Sequence, residues 1–231
     1  ISVSCIIMKI AFSAAIILFS FASVLFINPA GAVGFGVRSG LDYQNRAFDS
    51  GGMEYDLNYW GLFIEPSVNI TSRWSIFVRI GYSRLVFDRP EFGASDYDEW
   101  GLEWGGGTSL TLFKWAGLYG VLDGAVSRTS SDRHLDDGGK EKGTYLSWGA
   151  DGRLGWDLEI INPYLGFAYT DGRIAHDYSS EEENFSEHYR LKDRWMTFVG
   201  GSVNIPPFTN LRGRYYFGDD TLAVLSLGME F

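Results

Sequence analysis

Alternation of apolar and polar residues with a period of two recurs along most of this chain, and it limits the fold more than any other feature. Over 225–231, leucine, methionine and phenylalanine occupy every second position, with serine, glycine and glutamate between them. Similar alternation occurs over 76–82, 100–112 and 146–158. Successive side chains of a β-strand point to opposite faces, so the pattern predicts antiparallel strands with one apolar and one polar face.

The polar face of these predicted strands mixes charged residues with many of the 29 glycines, among them Gly105, Gly107, Gly149 and Gly155. A soluble β-sandwich would alternate as well, but its polar face is flat and lies in solvent. Small residues beside charges suit a narrow, curved and polar interior. The pattern therefore favours a closed barrel whose apolar face points outward.

Connections between the predicted strands alternate in length. The short ones are Thr71–Arg73, Lys114–Gly117, Ile161–Asn162 and Pro206–Asn210, and the long polar ones are Gln44–Asp56, Asp88–Glu99, Arg128–Gly143 and Ala175–Asp193. Short turns on one side and long loops on the other are typical of bacterial outer-membrane β-barrels. We therefore expect the turns in the periplasm and the loops outside the cell.

The 8 tryptophans give a second indication of a membrane barrel. With the N-terminus placed in the periplasm, four fall near the outer ends of predicted strands and three near the periplasmic ends, while Trp104 is the exception. Indole side chains concentrate at the two interfaces of a bilayer. We predict aromatic belts formed by Trp60, Trp74, Trp100, Trp115, Trp148, Trp156 and Trp195.

Turn signals divide the chain into ten predicted strands, with eight as the alternative. Gly218-Asp219-Asp220 joins the last two strands and is typical of a tight hairpin. An even strand number places both ends of the mature chain in the periplasm. The predicted strands are 33–43, 57–70, 74–87, 99–113, 118–128, 144–160, 163–174, 194–205, 211–218 and 221–231.

The N-terminal segment has the layout of a secretory signal peptide. Met8-Lys9 provides a start and a positive charge, an apolar stretch follows over 10–27, and Ala30-Gly31-Ala32 matches an A-x-A cleavage site. We predict a signal peptide over 1–32, with 1–7 upstream of the true start, and one barrel domain over 33–231. The alternative is an uncleaved anchor, because the apolar stretch is long enough to span a bilayer.

Charge and cysteine content exclude several kinds of site. The net charge is −10, whereas a nucleic-acid-binding surface needs clustered lysine and arginine. The one cysteine, Cys5, precedes Met8, so the predicted mature chain has no disulfide, thiol nucleophile or zinc–cysteine site. We predict no cofactor, and Gly105-Gly106-Gly107 lacks the Lys-Ser/Thr pair and the helix of a phosphate loop.

The C-terminal segment carries a family resemblance. The sequence ends in Phe231, with Leu227 and Met229 at alternate positions before it, and this resembles the β-signal that the barrel-assembly machinery recognises. Together with the signal peptide, it is similar to the small porin-like superfamily that includes the outer-membrane protein A barrel. The resemblance implies an all-β, antiparallel transmembrane barrel in the outer membrane, and it implies no particular activity.

Alternation assigns side chains of both charges to the lumen. An eight-stranded barrel is filled by its own side chains, ten strands make it only slightly wider, and buried charges must be paired. We therefore expect a plugged, salt-bridged lumen, and the alternative is a narrow channel whose charges select solutes. The predicted luminal charges are Arg38, Glu65, Arg79, Glu103, Asp123, Asp151, Arg153, Asp157, Arg212 and Arg214.

Catalysis at the barrel rim is a third hypothesis. Ten strands resemble the omptin proteases, which use an Asp pair and a His–Asp pair, but His134, His176 and His188 all fall in predicted loops. Acid–base catalysis needs groups held within hydrogen-bond reach, and the His-x-Ser pattern of lipid A-modifying barrels is missing. We therefore predict no enzymatic activity and, because no acidic cluster matches a calcium motif, no metal site.

The favoured function is a non-enzymatic envelope-structural or surface-binding role, carried by the long polar loops 44–56, 128–143 and 175–193. A narrow porin-like channel comes second, and a rim hydrolase of the omptin or lipid A-modifying type comes third. The expected partners are outer-membrane lipid and lipopolysaccharide, the barrel-assembly machinery and an extracellular ligand bound by the loops.

Overall fold

A computed structural model of the chain describes residues 34–87, 97–135, 139–179, 184–205, 209–218 and 220–230. The predicted signal peptide, 1–32, and Phe231 lie outside these ranges. None of the described residues belongs to a helix long and apolar enough to cross a membrane. They form eleven β-strands: β1 (Gly34–Ser50), β2 (Met53–Asn69), β3 (Trp74–Phe87), β4 (Tyr97–Trp115), β5 (Leu118–His134), β6 (Lys140–Trp156), β7 (Ile161–Ser179), β8 (Asn184–Leu191), β9 (Trp195–Ile205), β10 (Thr209–Phe217) and β11 (Thr221–Glu230).

Ten of these strands close into an antiparallel ring in the order β1–β2–β3–β4–β5–β6–β7–β9–β10–β11. The ring closes where β11 pairs with β1, from Gly36 opposite Glu230 to Asn45 opposite Thr221. Each strand of the ring therefore has a hydrogen-bonded neighbour on both sides, as a sheet that crosses lipid requires. The predicted fold, an antiparallel β-barrel of about ten strands, is confirmed.

The eleventh strand, β8, reduces one end of the barrel from ten strands to eight. β7 pairs with β9 over 161–169 and then with β8 over 173–179. β1 pairs with β11 over 36–45 and then with β8 at Phe48 and Asp49. β8 thus bridges β7 and β1 beyond the ends of the shorter strands β9, β10 and β11.

We call this eight-stranded end the collar, and the rest of the barrel the trunk. The collar consists of residues 46–59, 83–87, 97–101, 129–135, 139–145, 172–179 and 184–192. The opposite end of the trunk, where Gly34 and Glu230 lie, is called the terminal end.

Hydrogen bonds at the junction of collar and trunk satisfy the backbone where strands change partner. The Ala47 N–H donates to Asp220 Oδ1 at 2.9 Å, and the Ala47 carbonyl accepts from the Lys192 N–H at 3.0 Å. On β7, the Thr170 N–H donates to the Arg194 carbonyl at 2.8 Å. Polar backbone groups that a partner switch would otherwise leave unpaired are therefore bonded.

The outer surface of the trunk is apolar, and that of the collar is polar. Val78, Leu102, Leu154, Leu165 and Phe167 point away from the lumen, with 54–64% of their surface exposed. One row of outward positions across the collar shows the contrast, since it consists of Asp132, Lys142, Asp177 and Ser186 on β5 to β8. An apolar band this exposed fits a hydrocarbon environment, and the collar fits water.

The prediction of long loops over 44–56, 128–143 and 175–193 is wrong, because most of these residues are strands. Their outward residues are polar, which hides the strand pattern. Their inward residues include large apolar side chains such as Phe48, Tyr55, Tyr189 and Leu191, and packing of these side chains extends the strand pairing. The prediction over 88–99 lies partly outside the described residues, and its end, from Tyr97, belongs to β4.

One predicted turn lies at a different position, and another hairpin turn is now defined in detail. The connection placed at Ile161–Asn162 lies instead over 157–160, and Ile161 begins β7. The β1–β2 hairpin turns at Gly51 and Gly52, with φ of 64° and 89°. Two successive positive φ angles are what a type I′ hairpin turn requires, and only glycine adopts them without strain.

Candidate functional site

The collar is filled by its own inward side chains. Phe48, Leu57, Leu85 and Tyr97 have no exposed surface and belong to one continuous apolar cluster. The rings of Phe87 and Tyr97 stack with their centroids 4.7 Å apart. Because an eight-stranded ring is just wide enough to be filled by side chains, this cluster forms a plug at the collar end of the lumen.

Tyr97 anchors the plug to the collar wall. Its hydroxyl donates to the Ser131 carbonyl at 3.0 Å and accepts from the Gly143 N–H at 2.9 Å. A Cβ at position 143 would lie 2.8 Å from the Tyr97 ring, so only glycine fits there. Burial raises the pKa of the Tyr97 phenol above its ordinary value, which keeps this donor protonated.

The collar also encloses polar groups. His176 has no exposed surface, and its ring meets those of Phe87 and Tyr97 edge-on at 5.6 and 5.5 Å. Its Nε2 lies 3.9 Å from Glu141 Oε1, and Glu141 is bound by Arg133 at 2.6 Å. These groups are held inside the plug, away from bulk water.

Below the plug, the trunk holds a polar cavity of about 560 Å³. Its walls reach up to Gln44 and Arg46 at the junction and down to Lys114, Asp157 and Asn204 near the strand ends. The last three are exposed, so the cavity reaches solvent at the terminal end. The lumen is therefore a blind cavity, closed by the collar on one side.

Arg79 is the centre of one ion-pair network in the cavity wall. Its guanidinium lies 2.9 Å from Asp42, 2.8 Å from Glu65 and 3.2 Å from Glu103. Arg38 binds the other oxygen of Glu65 at 3.1 Å. The guanidinium of Arg79 also lies 3.9 Å from the centroid of the Phe63 ring, which adds a cation–π contact.

This network extends to the base of the plug through hydroxyl groups. Tyr59 donates to Glu103 at 2.7 Å, and Ser83 donates to the same carboxylate oxygen at 3.0 Å. Glu103 and Ser83 are fully buried, and Tyr59 nearly so. The carboxylate therefore has both a counter-ion and two hydrogen bonds, as a buried charge requires.

A second network crosses the lumen between β5, β6 and β10. Arg153 is ion-paired with Asp123 and lies 3.8 Å from Asp151. Arg214 lies 2.9 Å from Asp151 and 3.7 Å from Asp123. Two arginines and two aspartates thus neutralise one another, and the Phe198 ring lies under Arg214 at 4.7 Å.

A separate ion pair lies at the junction. Arg46 has no exposed surface, and its Nε donates to Asp220 Oδ2 at 3.0 Å. The Arg46 Nη2 donates to the Asp193 carbonyl at 3.0 Å. This pair links the β10–β11 hairpin to the segment between β8 and β9, at the point where the barrel narrows.

All ten predicted luminal charges have side chains that face the interior. Nine of them line the cavity, and Glu103 is buried beside Arg79. Sequence reasoning missed Asp42, Arg46 and Asp220, together with the collar residues Glu141 and His176. Asp42 and Arg46 share the parity of Arg38 on β1, so alternation could have found them, whereas Asp220 lies in a turn where alternation does not apply.

The predicted interface tryptophans all lie on the outer face of the barrel. Six are between 44 and 75% exposed, and Trp100 is partly covered because it stacks on Tyr82 at 5.3 Å. Trp104, the exception in the prediction, is also outward and 55% exposed. Of the predicted assembly signal, Leu227 faces outward on β11 and is 40% exposed, Met229 is partly exposed, and Phe231 lies outside the described residues.

The three histidines do not converge on one site. His176 is enclosed in the plug, whereas His134 and His188 are exposed on the outer side of β5 and β8. Asp136 and Asp137 lie outside the described residues, and Asp177 accepts a hydrogen bond from Ser186 at 2.6 Å. In the described part of the chain, no three histidine, cysteine or acidic residues are grouped as a metal site would need.

A closed antiparallel ring, an apolar outer band with tryptophans along it and a polar interior together define the class. The protein is a transmembrane β-barrel of the kind found in bacterial outer membranes. Neither a protein-family description nor a curated protein matches its sequence.

Solved structures similar to this chain are barrels of the same kind with differing roles. The translocator domain of the autotransporter NalP from Neisseria meningitidis is 13% identical over 96% of each chain, with a TM-score of 0.47. The outer membrane protease OmpT from Escherichia coli is 9% identical over 87% of this chain and 96% of its own, with a TM-score of 0.47. OprG, an outer membrane protein from Pseudomonas aeruginosa, is 10% identical over 87% and 96%, with a TM-score of 0.45. Similarity at this level assigns neither a family nor an activity.

Proposed function

We propose that this protein is a non-enzymatic, non-conducting barrel of the outer membrane that presents its collar to the outside as a binding surface. The observation that carries the proposal is the packed plug, in which Phe48, Leu57, Leu85 and Tyr97 have no exposed surface. A channel needs a continuous aqueous path, and this apolar core interrupts it. The scattered positions of His134, His176 and His188 support a non-enzymatic role.

The orientation belongs to the same proposal. The collar extends the polar hairpins of β1–β2, β5–β6 and β7–β8 beyond the apolar band, whereas the turns at the terminal end are short. Outer-membrane barrels carry their long connections outside and their short turns in the periplasm. The collar then faces the medium, and both chain ends and the mouth of the cavity face the periplasm.

Conductance across a planar bilayer tests the sealed lumen. The purified protein, shown to be folded by heat-dependent gel mobility, is expected to give no steady open-pore current, because the plug blocks the path. Arg79→Ala is expected to remain silent as well, since Arg79 lies below the plug. A steady wild-type current that Arg79→Ala alters would contradict the proposal and favour a narrow, charge-selective channel.

Exposed arginines on the outer face of the barrel, at the base of the collar, indicate an anionic partner. Arg128, Arg173 and Arg190 are exposed and lie in one row across β5 to β8, with Leu146 between the first two. Arg173 and Arg190 are directly opposite each other, an arrangement that is destabilising for like charges. Asp49 lies opposite Arg190 on β1 and offsets part of this repulsion. Lipopolysaccharide phosphates beside the barrel would offset the rest, so we include lipopolysaccharide as a partner at this row.

A binding assay with vesicles tests this partner. The double variant Arg173→Gln/Arg190→Gln is expected to bind lipopolysaccharide vesicles about tenfold or more weakly, since each arginine near an anionic surface contributes about 1 kcal/mol. Lys142→Gln, also exposed on the collar but outside the row, is the matched control. Equal binding by the double variant and the wild type would rule out the row as the contact site.

A further inference from the structure

We propose that the blind cavity of the trunk is a binding site for a small oxyanion that enters from the terminal end and is held by Arg212 and Arg38. The starting observation is that Arg212 lines the cavity yet makes no hydrogen bond or ion pair with any residue in the described part of the chain. Among the described residues, each of the other nine predicted luminal charges makes at least one ion pair or hydrogen bond.

The charges that act most strongly on Arg212 make its position costly. Burial and the like charges of Arg38, Arg153 and Arg214 disfavour the charge of Arg212, and Tyr164 opposes them in part. A cation held in a barrel interior among other cations is unfavourable unless an anion is present. The arrangement therefore has the electrostatics of an anion site whose negative charge is supplied from outside the chain.

The neighbouring carboxylates are already engaged. Asp123 and Asp151 bind Arg153 and Arg214 in the second network. Glu65 is shared by Arg38 and Arg79, so its single negative charge does not neutralise both arginines. The side chain of Arg38 is 38% exposed. Arg212 and Arg38 therefore have guanidinium N–H groups free to bind a ligand.

Small residues leave room for a ligand around Arg212. Its partners across the sheet are Ser202 on β9 and Ser226 on β11, and the position opposite Ser226 on β1 is Gly40. Both serines are buried, at 7 and 4% exposure, and their hydroxyls can donate to an oxyanion. Both serines line the cavity and fill less of it than larger side chains would, whereas the space beside Gly40 is occupied by the Phe63 ring.

The geometry of the cavity sets the class of ligand. Guanidinium groups bind phosphate and carboxylate oxygens through paired hydrogen bonds. A volume of about 560 Å³ accommodates a phosphate group or a small phosphorylated or carboxylated metabolite, but not a polymer. Because the plug closes the other side, the orientation proposed above means that the ligand reaches the site from the periplasm and returns there, and no transport across the membrane is implied.

Thermal unfolding of the folded barrel with inorganic phosphate tests the site. In a zwitterionic buffer of low salt, phosphate is expected to raise the Tm of the wild type in a saturable manner, whereas sodium chloride of equal ionic strength is not. Arg212→Gln is expected to weaken phosphate binding at least tenfold, and Arg212→Lys to retain most of it. Lys142→Gln, which removes an exposed cation from the outer face of the collar, is expected to bind phosphate as the wild type does.

The behaviour of Arg212→Gln without phosphate separates a ligand-binding arginine from a structural one. An uncompensated cation destabilises the empty barrel, so its removal is expected to leave the Tm unchanged or higher. If Arg212→Gln does not fold, phosphate binding is measured with Arg38→Gln instead, and this variant is expected to have a lower phosphate affinity than the wild type. A wild type without a phosphate-specific shift, or equal affinity in Arg212→Gln and wild type, would overturn the proposal. A lower Tm for the phosphate-free variant would do so as well.

Discussion

Individual buried charges control the stability of the barrel at the junction of collar and trunk. Arg46 is fully enclosed, and Asp220 supplies both its counter-ion and the acceptor for the Ala47 N–H. A buried ion pair adds little to stability compared with an apolar pair, but removing one partner leaves a buried charge without compensation. The same reasoning applies to Arg79, whose three carboxylates would repel one another without it.

Asp220→Asn is expected to destabilise the folded barrel by about 3–5 kcal/mol, because it keeps the shape of the side chain but leaves Arg46 unpaired. Urea unfolding of the protein in lipid vesicles measures this difference. Asp49→Asn removes an exposed carboxylate from the collar and is expected to change stability by less than about 0.5 kcal/mol. A similar loss in both variants would show that the junction ion pair has no special importance.

Which residues face the lumen could be predicted from the sequence, but not which of them meet. Arg79 and Glu65 were placed inside by their parity, and they are 2.8 Å apart. Arg46 and Asp220 are separated by 174 positions, and their contact depends on where β1 changes its partner from β11 to β8. That offset between strands is set by barrel closure, which no local pattern encodes.

At the scale of elements, β8 shows why the collar was predicted as a loop. Its inward positions, Phe185, Glu187, Tyr189 and Leu191, alternate with polar outward ones. The alternation typical of a strand was therefore present. Charged residues at both the inward and the outward positions, together with the surrounding turn residues, made it hard to recognise. Its pairing with β1 could not be predicted, because the two strands are far apart in sequence and the contact forms only once the ring has closed.

A cysteine pair tests the pairing of β8 with β1. Asp49 and Arg190 are directly opposite each other, and opposed Cα atoms in an antiparallel pair are about 4.5–5.5 Å apart, within the range of a disulfide. The double variant Asp49→Cys/Arg190→Cys is therefore expected to form a disulfide under oxidising conditions, seen as a mobility shift on non-reducing gels. The pair Asp49→Cys/His188→Cys is two positions out of register and is expected to stay reduced. Free thiols in the first variant would contradict the assigned closure of the collar.

At the scale of the whole molecule, the same alternation has opposite consequences in the two parts of the barrel. In the trunk, apolar residues point outward and charges point into the lumen. In the collar, the inward residues are mainly aromatic and apolar around the enclosed Glu141 and His176, and the outward residues are mainly polar. This inversion follows from the surroundings, since lipid surrounds the trunk and water surrounds the collar. The reversal of polarity between the two parts therefore marks the membrane boundary.

Arginine substitutions at outward positions locate that boundary. Leu165 is 54% exposed at the middle of the β7 segment that pairs with β9, so Leu165→Arg is expected to destabilise the barrel in lipid vesicles by about 2–4 kcal/mol. Thr144→Arg, on the outward face of the collar on β6, is expected to cost about 0–1 kcal/mol, because its side chain lies in water. Both values come from reversible unfolding in urea. Equal costs at the two positions would mean that the apolar band of the trunk is not in contact with hydrocarbon, and the membrane assignment would then be wrong.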